Sequence, residues 1–109
     1  MYYTYMLRCE DNTIYTGIAT DLERRMEEHF TRSKKCAKYT LTHHAKELEA
    51  AWKSETRVLA SKLEFHIKRL SRNQKEELIK NNSLISKFLV DKIDSTLYNS
   101  VNINNIKGA

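Results

Sequence analysis

Three tyrosines, a glycine, an arginine, a histidine and a glutamate hold most of the chemistry in this sequence. The stretch Tyr3 to Gly17, YTYMLRCEDNTIYTG, carries Tyr3, Tyr5 and Tyr15 and ends on one of only two glycines in the chain. A phenol with an ordinary pKa of about 10 is a poor base at neutral pH. It needs a nearby cation or a proton acceptor to become one. Such an acceptor lies nearby in sequence, because Arg25 and His29 stand four residues apart and share a neighbouring face of one helix. A guanidinium matches phosphate oxygens with parallel donors. From Thr31 to Lys46 the chain bears Arg32, Lys34, Lys35, Lys38 and Lys46, with His43 and His44 and no acid. A local basic loop of this kind is the footprint of phosphate-backbone contact. Each feature also has a plainer reading: a cross-strand aromatic pair for Tyr5 and Tyr15, and solvated charges for the rest. Tyr39 reads equally as core or as a stacking platform.

These residues must be positioned by a single small domain. The chain has 109 residues, a net charge of +5 and 40% hydrophobic residues. That length supports one modest core without disulfides. Cys9 and Cys36 are the only cysteines, too few for a disulfide scaffold and without metal-ligand spacing. No apolar run reaches the roughly 18 residues of a membrane span, and no signal peptide opens the chain. The expectation is a cytoplasmic protein with free thiols and no membrane partner.

Tyr3, Tyr5 and Leu7 alternate with Thr4, Met6 and Arg8, a period of two that predicts a first strand. Ile14 to Ile18 predicts a second, and CEDNT between them predicts the hairpin loop. Gly17 leaves room for another group to approach the backbone. Thr20 and Glu23 form a capping-box pattern, and Leu22, Met26 and Phe30 give the buried stripe of a helix from Asp21 to Arg32. ELEAAWKSE reads as a third strand, since a hairpin alone is marginal. TRVLASKLEFHIKRLS is a second helix with Leu59, Leu63, Ile67 and Leu70 inward, and Glu64 beside that stripe on a line with Ala60 and Lys68. Ser71 and Gln74 cap a third helix, and Ser83 starts a fourth, with Leu84, Ile85, Phe88 and Leu89 packing on the core. YNSVNINNIKGA reads as a frayed tail. The fold class is therefore α+β, a small and mostly antiparallel three-stranded sheet flanked by helices.

The pattern Tyr3-Thr4-Tyr5, then Tyr15-Thr16-Gly17, then Arg25, resembles the GIY-YIG nuclease domain. Thr20 to Arg25, Glu28-His29, CAKYT and Leu63 to Ile79 resemble its small stand-alone bacterial members. Tyr3 replaces the family's first glycine and Thr16 its isoleucine. The resemblance implies a domain over residues 1–82, with 83–109 as a helical extension and flexible tail. It implies that Tyr5 and Tyr15 face an active site, that Arg25 holds the scissile phosphate, and that His29 assists Tyr5. It implies that Glu64 binds a single divalent metal, Mg²⁺ or Mn²⁺, with no small-molecule cofactor. A later asparagine used by the family has no assigned counterpart among Asn73, Asn81 and Asn82. Arg32, Lys34, Lys35, Lys38 and Tyr39 would contact nucleic acid. The implied function is a metal-dependent endonuclease acting on DNA, branched or single-stranded, in repair or recombination. The alternative is a nucleic-acid-binding module of the same fold with little or no catalysis. Oligomeric state stays open.

Overall fold

The computed structural model describes residues 1–31, 37–104 and 106. Arg32, Lys34, Lys35 and Cys36, all of them sequence expectations, lie outside the described residues. The chain forms β1 (Tyr2–Cys9), β2 (Ile14–Ala19), α1 (Leu22–Phe30), α2 (Lys38–Thr42), β3 (Ala45–Ser54), α3 (Arg57–Lys68), α4 (Arg72–Lys80), α5 (Ile85–Phe88) and β4 (Asn99–Ser100). The sheet order is β2-β1-β3-β4, every pair antiparallel.

The alternation of β1 sorts the core into two clusters. Tyr5 and Leu7 turn to one face, with Leu22 and Met26 of α1 and Leu48 and Ala51 of β3. Met6 turns to the other, with Trp52, Leu63, Ile67, Leu78, Ile85, Leu89, Ile93 and Tyr98. Period-two side chains on a strand and helical stripes on either side account for both layers. Thr4, buried on the same face as Met6, donates to the Ala60 carbonyl at 3.0 Å. That bond, with the packing of α3 on β1 and β2, fixes α3 to the hairpin. The Arg8 guanidinium donates to Glu49 at 2.9 Å and to both oxygens of Glu76 at 2.6 and 2.8 Å. It thereby clamps β3 and α4 to β1, and the hydrogen bonds from Arg8 hold the Glu76 carboxyl down at about 2.

The sequence expectation is corrected in four places. The sheet has four strands, not three: Lys53 pairs with Asn99 and Trp52 with Ser100, and the Val101 N–H donates to the Ala51 carbonyl at 2.9 Å. The stretch from Asn99 is therefore not frayed where it is described, since Val101, Ile103 and Ile106 also pack against the α1-side cluster. Val101 and Ile103 alternate with asparagine, a strand-like pattern masked by the polar composition. The cap of α1 is Asp21, whose carboxylate accepts the Arg24 N–H at 3.1 Å, rather than Thr20. Part of the expected basic loop is the short helix α2. By contrast, the capping box of Ser71 and Gln74 forms with both of its reciprocal bonds.

Candidate active site

The site gathers at the β2 edge of the sheet. In the hairpin register Tyr5 stands opposite Gly17 and Leu7 opposite Tyr15, so both tyrosines lie on the α1 face. Their ring centroids are 6.2 Å apart. A Cβ built on Gly17 would stand 2.7 Å from the Tyr5 hydroxyl oxygen and 2.9 Å from Cε2 of Tyr15. Glycine at this position is what lets both rings lie against the strand. Tyr5 is fully buried and held by a hydrogen bond, so it cannot swing aside cheaply. Gly17→Ala is therefore expected to lower stability by about 1–3 kcal/mol through overpacking. A urea titration checks this, and an unchanged midpoint would mean that the tyrosines move freely.

His29 completes a buried chain of hydrogen bonds. Its Nε2 lies 2.7 Å from the Tyr5 hydroxyl and its Nδ1 lies 2.8 Å from Thr40 Oγ1. The Thr40 hydroxyl donates its one proton to the Ala37 carbonyl at 3.0 Å. Thr40 must then accept from His29, which places the imidazole proton on Nδ1. Nε2 is left as an acceptor, and Tyr5 donates to it. The network thus orders the proton path outward to inward, from Tyr5 to His29. Burial and then the Arg25 charge push His29 down to about 4, so the ring is neutral at neutral pH. Burial, followed by the charge of Tyr15, pushes the Tyr5 phenol well above the ordinary range, while the hydrogen bond and charge of Arg25 pull it back.

The depressed imidazole carries a sign for stability. The unfolded chain binds a proton at His29 near pH 6.5, and the folded chain only near 4. Its contribution is therefore present above 6.5 and is lost as pH falls through that window toward 4. Between about pH 7 and about pH 5, His29 is expected to cost the wild type about 2 kcal/mol that His29→Gln does not lose. Urea midpoints of both proteins at the two pH values measure the difference, and parallel pH slopes would contradict it.

Arg25 stands in contact with the phenol of Tyr5 and donates to Glu28 at 2.9 Å. Glu64 acts on Tyr5 from α3, its charge opposing ionisation of the phenol. Its half-buried carboxylate pairs with Lys68 at 3.2 Å, and the Lys68 ammonium lies 5.8 Å from the Tyr15 ring centroid. Tyr15 stacks on Tyr39 at 5.5 Å, and Tyr39 stacks on His43 at 4.1 Å. His43 in turn pairs with Asp11 of the hairpin loop. Lys38 is exposed on α2. The structure thus brings Tyr5, Tyr15, Arg25, His29 and Glu64 into one neighbourhood, with Tyr39 at its rim.

Two participants escaped the reading of the sequence. Thr40 sets the histidine tautomer, yet a lone threonine in a basic segment gives no sign of that. Lys68 was visible only as the residue four beyond Glu64. Two of the asparagines after Glu64 bond to the backbone: Asn82 donates to the Leu78 carbonyl at 2.9 Å, and Asn81 accepts the Ser83 N–H at 3.2 Å. Among the described residues no three His, Cys, Asp or Glu side chains cluster as a metal cage. Glu64 is the acid beside the tyrosines. A single carboxylate completed by water and phosphate oxygens is a donor set that suits Mg²⁺. Among the described residues no helix is long and apolar enough to cross a membrane.

Comparison with known proteins identifies the family of the chain. Residues 1–78 match the GIY-YIG catalytic domain. A UPF0213 protein of Fusobacterium nucleatum is 46% identical over 78 residues, covering 72% of this chain and 76% of that protein. A UPF0213 protein of Lactococcus lactis subsp. cremoris is 43% identical over 89 residues, covering 81% of this chain and 89% of that one. The solution NMR structure of a UPF0213 protein from Bacillus halodurans is 36% identical, covers 73% of this chain and 84% of its own, and superposes with a TM-score of 0.46. With the domain match spanning both tyrosine strands, the arginine helix and the glutamate helix, the chain belongs to the GIY-YIG nuclease family.

Proposed function

We propose that the chain is a metal-dependent endonuclease that hydrolyses phosphodiester bonds in DNA, with branched or single-stranded DNA in repair or recombination as its setting. The observation that carries the reading is the directed hydrogen-bond chain from Tyr5 through His29 to Thr40. A buried tyrosine that must first ionise would almost never be present as phenolate at neutral pH. A tyrosine that hands its own proton to His29 Nε2 as it accepts one from water never has to exist as a free phenolate. Arg25, touching the same phenol, holds the scissile phosphate and meets the charge that develops on it. Tyr15, fixed by its stack on Tyr39, orients the water or the phosphate. Glu64 would hold Mg²⁺ or Mn²⁺, which when bound supplies Lewis-acid help to the leaving oxygen. Lys38 and Tyr39 at the rim, and Arg32, Lys34 and Lys35 in the same basic segment, contact the nucleic-acid strand.

A second reading has its own observation. Burial holds both Tyr5 and His29 neutral, a state that suits a binding module as well as a resting enzyme. Cleavage of labelled single-stranded, duplex and branched DNA in Mg²⁺, Mn²⁺ or EDTA separates the two. Metal-dependent cutting by the wild type, lost in Glu64→Ala, supports the nuclease. Salt-sensitive binding without cutting leaves the binding module.

A further inference from the structure

A cleft of about 230 Å³ lies beside the site and shares Arg25 with it, lined also by Tyr2, Thr20, Arg24, Glu28 and Arg57. Its cations come from separate elements, Arg24 and Arg25 from α1 and Arg57 from the first position of α3. The acids there are already engaged: Glu28 accepts from Arg25 at 2.9 Å, and Asp21 accepts the Arg24 N–H as the helix cap. Arg24 and Arg57 are exposed, and among the described residues neither guanidinium has an acid partner. The two guanidiniums come from different elements and converge on one concavity, and with Arg25 its three cations outnumber the two carboxylates of Asp21 and Glu28, a balance that suits an anion. At roughly 30 Å³ per water, the cleft admits a phosphate with part of its sugar. Apart from Tyr2 its side walls offer no aromatic platform, so it suits backbone rather than base.

We propose that Arg24 and Arg57 form a second phosphate subsite, which holds an internal phosphodiester next to the one on Arg25 and so sets the path of the strand through the site. The proposal rests on the reading of Arg25 as the scissile-phosphate clamp. Because Arg25 is the shared wall, a strand seated on it must pass either into this cleft or away from it. The cleft is the side on which two further guanidiniums wait.

The test is binding of a fluorescein-labelled single-stranded DNA oligonucleotide, followed by anisotropy in EDTA. A single neutral methylphosphonate is moved along the strand, and a matched set carries or lacks a 5′-phosphate. For the wild type, one internal position is expected to weaken binding about tenfold when neutralised. The double variant Arg24→Gln/Arg57→Gln is expected to bind about tenfold more weakly and to lose less than about twofold more at that position. Both side chains are exposed, so the variant keeps its fold, which a melting curve verifies. If the variant keeps the wild-type penalty at every position, or if only the 5′-phosphate matters, the internal subsite is overturned. Metal-dependent cleavage without the coupling overturns the cleft alone. The coupling without cleavage overturns the nuclease reading and leaves the cleft. A wild type that binds no oligonucleotide overturns both.

Discussion

Tyr5→Phe is expected to keep the fold and to reduce DNA cleavage by about a thousandfold. The substitution retains the ring that packs at 0% exposure against α1 and Tyr15. It removes one oxygen, and with it the donor to His29 Nε2 at 2.7 Å and the group that Arg25 contacts. The buried imidazole nitrogen loses its partner, at a cost of about 1–3 kcal/mol. The variant therefore melts lower but still cooperatively, and assays run well below its transition isolate the chemistry. A positioned proton acceptor contributes about 10²–10⁴ in rate. The loss is expected in kcat rather than KM, because a phenol that works on water makes no contact unique to ground-state binding. If Tyr5 serves only as a cross-strand aromatic, phenylalanine would serve equally well and the rate would be unchanged. The difference between these outcomes is far larger than any stability correction.

The sequence made the scaffold of this site legible and left its connections hidden. Period-two alternation places Tyr5 and Tyr15 on paired strands, and the i, i+4 spacing places Arg25 and His29 on one helix, because both periods are local properties of the backbone. Gly17 stood out as a place for close approach, and the approaching group is Tyr5. What stayed hidden depends on distant segments meeting. Thr40 reaches His29 only because α2 folds back toward α1. Asn99 and Ser100 become a strand because β3 presents an unpaired edge to them, which outweighs the weak strand preference of asparagine. Asp21 and Thr20 are adjacent residues of equally good capping type, so only the backbone decides that Asp21 takes the Arg24 N–H. The cleft of Arg24 and Arg57 joins residues from α1 and α3 that no local pattern connects.

Glu64→Gln is expected to abolish metal-dependent cleavage, a loss of about 10³-fold or more, while leaving stability almost unchanged. The carboxylate sits on α3 beside the tyrosines, and among the described residues its ion pair is with Lys68 at 3.2 Å on the same helix. Such an i, i+4 pair contributes only about 0.3–0.5 kcal/mol, so the variant folds. Glutamine keeps the volume and one oxygen but loses the charge with which, on the proposed role, Glu64 would hold a hard divalent cation. The several kcal/mol of transition-state stabilisation that a metal supplies is lost with it, which converts to the stated factor at 1.36 kcal/mol per decade. A structural role for Glu64 makes a different forecast. If it matters only as the partner of Lys68, then Lys68→Ala breaks the same pair and should be equally inactive. The metal role instead leaves Lys68→Ala with metal-dependent activity, since removing the ammonium frees the carboxylate for the cation. Cleavage by the wild type and both variants, titrated with Mg²⁺ and with Mn²⁺, decides between them. Loss in Glu64→Gln with activity retained in Lys68→Ala assigns the carboxylate to the metal, and equal loss in both assigns it to the helix.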